Sequence, residues 1–196
     1  MRVLPYGERA VLIETETPLA LRDALASAAG VVEIVPASRT LLVRFDPQRA
    51  TAEDVAALAA RPVPPASATV GELIKLPVTY DGVDLEAVAA ETRLSLEEVI
   101  ARHSSGEYVV AFCGFAPGFA YLTGLDPALH LPRLAEPRTS VPAGSVAIAA
   151  EFTGVYPRSS PGGWRLLGRT ETTLWDVARP DPALLSPGTR VRFTRS

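Results

Sequence analysis

The stretch FCGFAPGFAYL, residues 112–122, is the first of three glycine- and proline-rich segments in the second half of this 196-residue chain. The others are PRTSVPAGS at residues 137–145 and SPGGWRLLGRT at residues 160–170. Residues 112–170 hold 8 of the 14 glycines and 7 of the 18 prolines. Glycine reaches positive φ and proline fixes φ at about −65°, so these segments predict ordered turns.

Short apolar runs around these turns predict β-strands. The candidate strands are residues 108–112, 146–150, 154–156, 165–170 and 190–194. Because no helical pattern separates most of them, they favour a closed or nearly closed β-barrel over alternating strand–helix units. Ahead of them the pattern predicts a strand over residues 72–80 and helices over residues 85–91 and 95–103. We therefore predict a barrel domain over residues 70–196.

The first 61 residues show a different pattern, in which paired strands alternate with helices. Strands are predicted at residues 3–4, 10–14, 31–35 and 41–45, and helices at residues 18–29 and 52–60. Pro18 suits the start of the first helix, and Thr51 with Asp54 forms a capping pair for the second. The order ββαββα predicts a small sheet with helices on one face, close to a ferredoxin-like arrangement.

The predicted fold class is therefore α+β, with two domains. A small ferredoxin-like N-terminal domain over residues 1–61 is followed by the proline-rich linker PVPPASAT at residues 62–69 and by the β-barrel domain over residues 70–196. The linker is too rich in proline to continue a helix and too polar to pack as a strand.

Charge and composition limit the partners. The net charge of −3 offers no basic face for nucleic acid. Residues 1–111 carry 10 basic and 16 acidic side chains, whereas residues 112–196 carry 9 and 6, so the glycine-rich half suits an anionic ligand. Scattered surface arginines explain the same counts equally well. With a single cysteine, no signal-peptide pattern and no apolar run of about 20 residues, we expect a cytoplasmic protein without a membrane partner.

Motifs of self-contained enzymes are missing from the sequence. Lys75 is the only lysine and lies in an apolar strand pattern, so there is neither a Gly-Lys-Ser/Thr phosphate loop nor a Ser-Ser-Lys amidase pattern. No Gly-x-Ser-x-Gly elbow occurs, and His103, His130 and Cys113 are not at metal-ligand spacing. We expect no metal site in this chain. We interpret Cys113 as a packing residue and assign His130 no role.

What remains is a set of hydrogen-bonding groups on rigid turns. In the first segment, glycines allow close approach to the backbone and aromatic rings offer apolar walls, although the same phenylalanines could equally be core residues. The binding candidates there are Gly114, Phe115, Pro117, Gly118 and Phe119. The third segment could present successive amides to a carboxylate, or could be only a tight turn before a strand. Its candidates are Ser160, Gly162, Gly163 and Trp164.

Charged and hydroxyl-bearing residues complete the candidate site. The planar forks of Arg138 and Arg169 suit a carboxylate, or they brace neighbouring loops as salt bridges. Weaker candidates for ligand binding are Thr139, Ser145 and Tyr156. His103 and Glu107 are the candidate acid–base residues, with Glu107 holding the imidazole or acting as a base itself. The alternative role for His103 is a favourable charge at a helix C-terminus.

Together with PYGERAVL at residues 5–12, RHS at residues 102–104 and GTRVRF at residues 188–193, the three segments resemble the Kip-type kinase inhibitor family. That family is also known as the B subunit of the prokaryotic 5-oxoprolinase and as allophanate hydrolase subunit one. The resemblance covers nearly the whole chain and implies a cyclophilin-like fold for the barrel domain.

The resemblance also implies a function for the chain within an assembly. It implies the B subunit of an ATP-dependent 5-oxoprolinase, which converts 5-oxo-L-proline, ATP and water to L-glutamate, ADP and phosphate. The partners would be a C subunit with a related barrel, which shares the site for a small carboxylate, and a separate A subunit. ATP would be used by the assembly. The alternatives are a binding module that inhibits a sensor histidine kinase and a carboxyl-transfer component related to part of urea carboxylase.

Overall fold

The chain consists of two compact units, and the buried apolar residues that the structure describes form one core cluster in the first unit and two in the second. A computed structural model describes residues 1–62 and 73–196, which fall into the units Met1–Val70 and Gly71–Ser196. Apart from Pro62, the predicted linker at residues 62–69 lies outside the described residues, so its structure remains a prediction.

The first unit is an antiparallel sheet covered on one face by two helices. The strands are β1 (Arg2–Pro5), β2 (Ala10–Glu14), β3 (Val31–Pro36) and β4 (Thr40–Phe45), and the helices are α1 (Pro18–Leu25) and α2 (Ala52–Ala59). The core between sheet and helices contains Ile13, Leu21, Val43 and Val55. The predicted capping pair of Thr51 and Asp54 is present at the start of α2.

The connectivity of this unit departs from a ferredoxin-like domain. The chain order ββαββα is confirmed, and the strands lie side by side in the order β1-β2-β4-β3. Ferredoxin-like domains instead follow the chain order βαββαβ. The structure therefore confirms the predicted elements of the first unit but not the predicted ferredoxin-like arrangement.

In the second unit, a seven-stranded sheet curls until its two edges meet. The strands of this unit are β5 (Leu73–Val78), β6 (Tyr108–Cys113), β7 (Ala120–Thr123), β8 (Arg138–Val141), β9 (Ser145–Ala149), β10 (Phe152–Val155), β11 (Ser160–Gly162), β12 (Arg165–Arg169) and β13 (Arg190–Arg195). The sheet runs β12-β9-β10-β7-β6-β13-β5, while β8 and β11 form a separate ribbon. Just beyond β5, Thr79 and Arg169 exchange two backbone hydrogen bonds of 2.9 Å. The predicted nearly closed barrel is confirmed.

Two helices pack against the barrel. They are α3 (Leu85–Thr92) and α4 (Leu96–Ser105), and a capping box formed by Ser95 and Glu98 opens α4. Together with the inner faces of the strands they enclose a core that includes Leu76, Val110, Leu122 and Phe193, all fully buried. None of the helices in the described part of the chain is long and apolar enough to cross a membrane.

The closure of the barrel depends on a glycine in β12. A Cβ atom on Gly168 would lie 2.2 Å from the carbonyl oxygen of Thr79, so a side chain there forces the backbone apart. We expect Gly168→Ala to lower the free energy of unfolding by about 1–3 kcal/mol, measured by urea denaturation. Gly163→Ala is the matched control, because its nearest contact would be an ordinary 3.6 Å. Equal losses in both variants would contradict the importance of this close approach.

Candidate functional site

Four aromatic side chains form a packed cluster on the barrel, which we call the aromatic floor. Its members are Phe119, Tyr121, Tyr156 and Trp164. Phe119 lies at the centre, with its ring centroid 5.1–5.4 Å from the other three in edge-to-face contacts. Such contacts favour one fixed arrangement of the rings. Phe119, Tyr156 and Trp164 are only 1–4% exposed, so the aromatic floor is a rigid, buried core cluster to which the first and third glycine- and proline-rich segments contribute.

Residues 114–119 of the first segment form the turn between β6 and β7, and the two phenylalanines of this turn differ in exposure. Phe119 is 1% exposed and belongs to the core, whereas Phe115 is 60% exposed and touches Phe119 with the edge of its ring. Phe115 also has a φ of 68°, which is uncommon for a bulky residue. A strained backbone that presents an apolar ring to solvent is typical of a functional position. Of the two alternatives, Phe119 is core and Phe115 remains a candidate for binding.

The turn around Phe115 is held by its own backbone. The Gly114 N–H donates to the Phe119 carbonyl oxygen at 3.2 Å, and the Phe119 N–H donates to the Ala116 carbonyl oxygen at 2.9 Å. Gly118 has a φ of 81°, and a Cβ atom there would lie 2.8 Å from the Cβ of Trp175. Pro117 is exposed at the tip. The predicted ordered turn is therefore present, with Phe115 and Pro117 as its outward-facing side chains.

The third segment approaches the floor through its backbone. Gly162 pairs with Arg138 in the β8–β11 ribbon, and a Cβ atom on Gly162 would lie 2.2 Å from the Tyr156 hydroxyl oxygen. The Gly163 carbonyl accepts from the Leu134 N–H at 2.8 Å, while Ser160 pairs with a strand residue of β8 at the outer end of the ribbon. The backbone N–H of Trp164 acts on the Tyr156 hydroxyl and opposes the rise of its pKa that burial causes. This turn therefore uses part of its amides internally, rather than offering all of them to a ligand.

Arg138 is fixed beside the floor by a buried carboxylate. Its Nη2 donates to Asp84 Oδ1 at 2.6 Å, and the other oxygen of Asp84 accepts from the Leu166 N–H at 2.7 Å. Arg138 Nη1 also reaches the Trp164 carbonyl oxygen at 3.5 Å. The bracing role that the sequence allowed is therefore present. Arg138 stays 28% exposed, so part of its side chain remains accessible to solvent.

Arg133 is a residue of the site that the sequence reasoning missed. Its guanidinium carbon lies over the Trp164 ring, 6.0 Å from the ring centroid, which is the outer limit of a cation–π contact. Burial raises the pKa of Tyr156, whereas the Trp164 N–H and the charges of Arg133 and Arg138 oppose that rise. The one feature of the sequence that could have indicated this role is that Arg133 lies in the loop just before the second glycine- and proline-rich segment.

Arg169 and Ser145 lie opposite each other on β12 and β9 and are engaged elsewhere. Arg169 donates to Asp81 Oδ2 at 2.8 Å and to Glu171 Oε1 at 3.2 Å, and these bonds raise its pKa. It lines a shallow pocket at the barrel seam rather than pointing at the floor. Ser145 is buried, and its carbonyl oxygen accepts from the Tyr156 N–H at 2.9 Å. The structure therefore supports a bracing role for Arg169.

His103, one of the two candidate acid–base residues, lies in the core of the second unit. The side chain is fully buried, with Nδ1 2.8 Å from the Tyr80 hydroxyl and Nε2 2.9 Å from the Thr153 hydroxyl. Because Thr153 donates its own proton to the Ala147 carbonyl oxygen, it accepts from Nε2, and Nδ1 accepts from Tyr80. Burial lowers the pKa of His103 to about 3, so the ring is neutral. His103 is thus neither an accessible acid–base group nor a charge at a helix end.

Glu107 is not brought to His103 either. It is exposed and forms ion pairs with Arg190, at 3.1 Å, and with Arg192. The hydrogen bond from Arg190 is the largest cause of its lowered pKa. A carboxylate paired with two guanidinium groups is a poor base, so the predicted acid–base pair is not assembled in this structure.

Cys113 and His130, to which we assigned no binding or catalytic role, each contact a backbone carbonyl oxygen. The Cys113 thiol donates to the Leu185 carbonyl oxygen at 3.4 Å, and burial raises its pKa, as expected of a packing residue. Exposed His130 contacts the Leu125 carbonyl oxygen at 3.0 Å through Nε2. Within residues 1–62 and 73–196, no group of three or more His, Cys, Asp or Glu side chains is arranged to hold a metal ion.

Comparison with known proteins places these features in a family. The model for the family described as carboxyltransferase domain, subdomain C and D, matches residues 1–185. A protein of Escherichia coli O157:H7 named as the B subunit of 5-oxoprolinase is 43% identical over 201 residues, covering 95% of this chain and 92% of that protein. A protein of the same name from Bacillus subtilis (strain 168) is 49% identical over 126 residues, which cover 63% of this chain and 52% of that protein.

Solved structures share the fold. The crystal structure of TTHA0988 superposes with a TM-score of 0.82 at 40% identity and covers 96% of this chain, which spans only 40% of that longer chain. The K. lactis urea amidolyase superposes with a TM-score of 0.73 at 18% identity, over 100% of this chain and 16% of that one, and so shows the fold alone. The chain belongs to the family of the carboxyltransferase domain, subdomain C and D, alongside the relatives named as B subunits of 5-oxoprolinase.

Proposed function

We propose that this chain is the B subunit of an ATP-dependent 5-oxoprolinase. The observation that carries the proposal is the 43% identity to a protein named as the B subunit of 5-oxoprolinase, across 95% of this chain and 92% of that protein. The overall reaction opens the lactam of 5-oxo-L-proline with one water and cleaves ATP with another, giving L-glutamate, ADP and phosphate. Phosphorylation of the amide oxygen would turn it into a leaving group.

The geometry supports a binding role for this chain in that reaction. The exposed Phe115 ring offers an apolar surface next to the buried aromatic floor, and Arg133 and Arg138 place positive charge beside that floor. Neither His103 nor Glu107 is placed to move a proton on a ligand, because the first is buried and the second is paired with two arginines. The chain therefore contributes positioning and charge, and the reacting groups come from elsewhere in the assembly.

The proposed assembly contains two further chains. A C subunit with a related barrel would face the turn around Phe115, whose exposed apolar ring and strained backbone suit a contact completed by another chain. A separate A subunit completes the enzyme, ATP is used by the assembly as a whole, and we propose a cytoplasmic location. In this arrangement Gly114, Pro117 and Gly118 shape the surface that meets substrate or partner.

Reconstitution tests this proposal. The chain is co-expressed with candidate A and C subunits, and release of L-glutamate and ADP from 5-oxo-L-proline and ATP is measured. We expect turnover with all three chains and none when this chain is omitted. Hydrolysis of 5-oxo-L-proline by the isolated chain, or unchanged turnover without it, would contradict the proposal.

A second candidate function is inhibition of a sensor histidine kinase through protein docking. The observation that favours it is that two large apolar residues are exposed, Phe115 by 60% and Trp175 by 38%. The segments that carry them are in contact, because Gly118, in the same turn as Phe115, packs closely against Trp175. Dose-dependent loss of kinase autophosphorylation on addition of the purified chain would support this function. The urea amidolyase likeness, at 18% identity, adds no support for carboxyl transfer because it concerns the fold alone.

A further inference from the structure

The four-stranded sheet of the first unit has one face that its helices leave open. Both α1 and α2 pack on the face that holds the core of this unit, and alternate residues of each strand lie on the opposite face. That open face carries an apolar row, with one residue from each strand in direct register: Leu4, Leu12, Leu42 and Val35. An antiparallel sheet that faces water normally carries polar residues on that side, so this row is unlike a solvated surface.

Shallow grooves at both ends of the row enlarge the open face. Tyr6, which is 61% exposed, lines the groove at one end together with Leu42. Met1, which is 66% exposed, lines the groove at the other end together with Glu14. Val35, at the edge of the row, is 41% exposed. The open face therefore gathers several exposed large apolar side chains on one side of a small unit, and a patch of this kind is typical of a protein–protein contact.

Charges of both signs surround the apolar row. Arg2 pairs with Glu14 at 3.9 Å on one side of it, and Arg44 pairs with Glu33 on the other side. The two grooves and these ion pairs contain four basic side chains, Arg2, Arg9, Arg39 and Arg44, and four acidic ones, Glu8, Glu14, Glu16 and Glu33. A nucleic acid or an anionic membrane requires an excess of basic groups. A protein surface with the same balance of charges fits this face better.

Two neighbouring charges on the turn between β1 and β2 make the open face complementary to itself. Glu8 and Arg9 are both exposed, line the same groove as Tyr6, and form no ion pair with any residue in the described ranges 1–62 and 73–196. In a symmetric pair of chains each patch meets its own copy, so a contact from the first residue to the second occurs twice. Glu8 of each copy would then face Arg9 of the other, and both unpaired charges would gain a partner.

We propose that the open face of the first unit binds a second copy of this chain in a symmetric dimer. A two-fold axis that runs along the strands brings the two β1–β2 turns together, lays one apolar row on the other and forms two ion pairs between Glu8 and Arg9. The dimer does not rest on the 5-oxoprolinase function, because every group that forms it lies in the first unit. Within any larger assembly it implies an even number of copies of this chain.

Sedimentation equilibrium of the full chain tests the dimer, with circular dichroism to show that each variant is folded. The chain has a mass of 20.8 kDa, and we expect twice that mass to dominate at the upper end of a range from about 1 to about 100 µM. Leu42→Glu puts a charge in the middle of the apolar row and should weaken dimerisation by about a hundredfold or more. Val83→Glu is the matched control, because Val83 is 76% exposed and lies in the second unit.

Exchange of the two turn charges distinguishes a second copy from any other partner. Glu8→Arg and Arg9→Glu each place like charges opposite one another twice, and each should weaken dimerisation by about threefold to tenfold. The chain that carries both substitutions should recover the affinity of the parent, because the same two ion pairs form with their signs reversed. Both residues are exposed on a turn, so these variants carry the test if Leu42→Glu does not fold.

Three results would overturn the dimer: a monomer at every concentration, equal losses in Leu42→Glu and Val83→Glu, or no recovery when both turn charges are exchanged. Candidate A and C subunits are also mixed with the chain. If the chain alone is monomeric and Leu42→Glu instead abolishes its binding to one of these subunits, the open face belongs to that subunit and the proposed dimer fails.

Discussion

Asp84→Ala is expected to lower the free energy of unfolding of the second unit by about 3 kcal/mol or more, because two buried contacts lose their acceptor at once. Asp84 accepts from Arg138 at 2.6 Å and from the Leu166 N–H at 2.7 Å. Without the carboxylate, Arg138 becomes an uncompensated charge that is only 28% exposed, and the β12 amide has no partner. Urea denaturation followed by tryptophan fluorescence measures the loss, since both tryptophans lie in this unit.

The control for this prediction is an exposed ion pair of the same unit. Asp81 pairs with Arg169, and their side chains are 45% and 57% exposed. Asp81→Ala should therefore cost less than about 1 kcal/mol. In a double-mutant cycle, Asp84→Ala and Arg138→Ala should together cost less than the sum of the single changes, because each alone leaves the other partner unpaired. Additive losses would show that the pair does not act as a unit.

The contrast between Asp84 and the capping boxes shows which features the sequence reveals. Thr51 with Asp54 and Ser95 with Glu98 act within one helical turn, so their spacing is enough to predict them. Asp84 meets Arg138 54 residues later and Leu166 82 residues later. No local pattern encodes such a meeting, because it exists only once the barrel has brought β8 and β12 to the start of α3.

The burial of His103 could have been predicted from the spacing of apolar residues in α4. Val99, Ile100 and His103 are the buried residues of α4, and a spacing of three and four residues places them on one helical face. Weighing His103 as a member of that apolar face would have predicted burial. The position of Arg133, in contrast, depends on a loop whose path over Trp164 no periodicity determines.

The first unit marks another limit of sequence reasoning. Alternation and capping predicted its strands and helices in the correct order, but strand order depends on which edges pair. The central neighbours are β2 and β4, which belong to two different hairpins. Either strand of each hairpin could be the one that pairs with the other hairpin, and the alternation of apolar residues would be the same in every case. The sequence pattern alone is therefore compatible with several strand orders.

His103→Ala is expected to lower the free energy of unfolding by about 3–5 kcal/mol, because it removes a fully buried ring and leaves the part-buried Tyr80 hydroxyl without its acceptor. The ring stacks on Phe193 with centroids 4.5 Å apart, and its nitrogens join the hydroxyls of Tyr80 and Thr153. The packing and both hydrogen bonds of the ring are lost in the variant, whereas the Thr153 hydroxyl keeps its bond to the Ala147 carbonyl oxygen.

The same residue should give the wild-type protein a characteristic dependence on pH. Its pKa is about 3 in the folded state against 6.5 for an ordinary histidine, so between these values the unfolded state binds the extra proton. The stability contribution is complete above pH 6.5 and is lost as the pH falls toward 3, at up to about 1.4 kcal/mol per pH unit. Unfolding free energies measured at pH 7.5, 6, 5 and 4 should therefore fall more steeply for wild type than for His103→Ala.

Two comparisons distinguish this structural role from catalysis. His130→Gln, which changes the exposed histidine, should keep the steep wild-type dependence on pH. In the reconstituted assembly, His103→Ala should retain turnover at temperatures where it stays folded, because a ring with no exposed surface and both nitrogens engaged cannot reach a substrate. Loss of turnover with an unchanged free energy of unfolding would return His103 to the catalytic residues and imply that the core opens during the reaction.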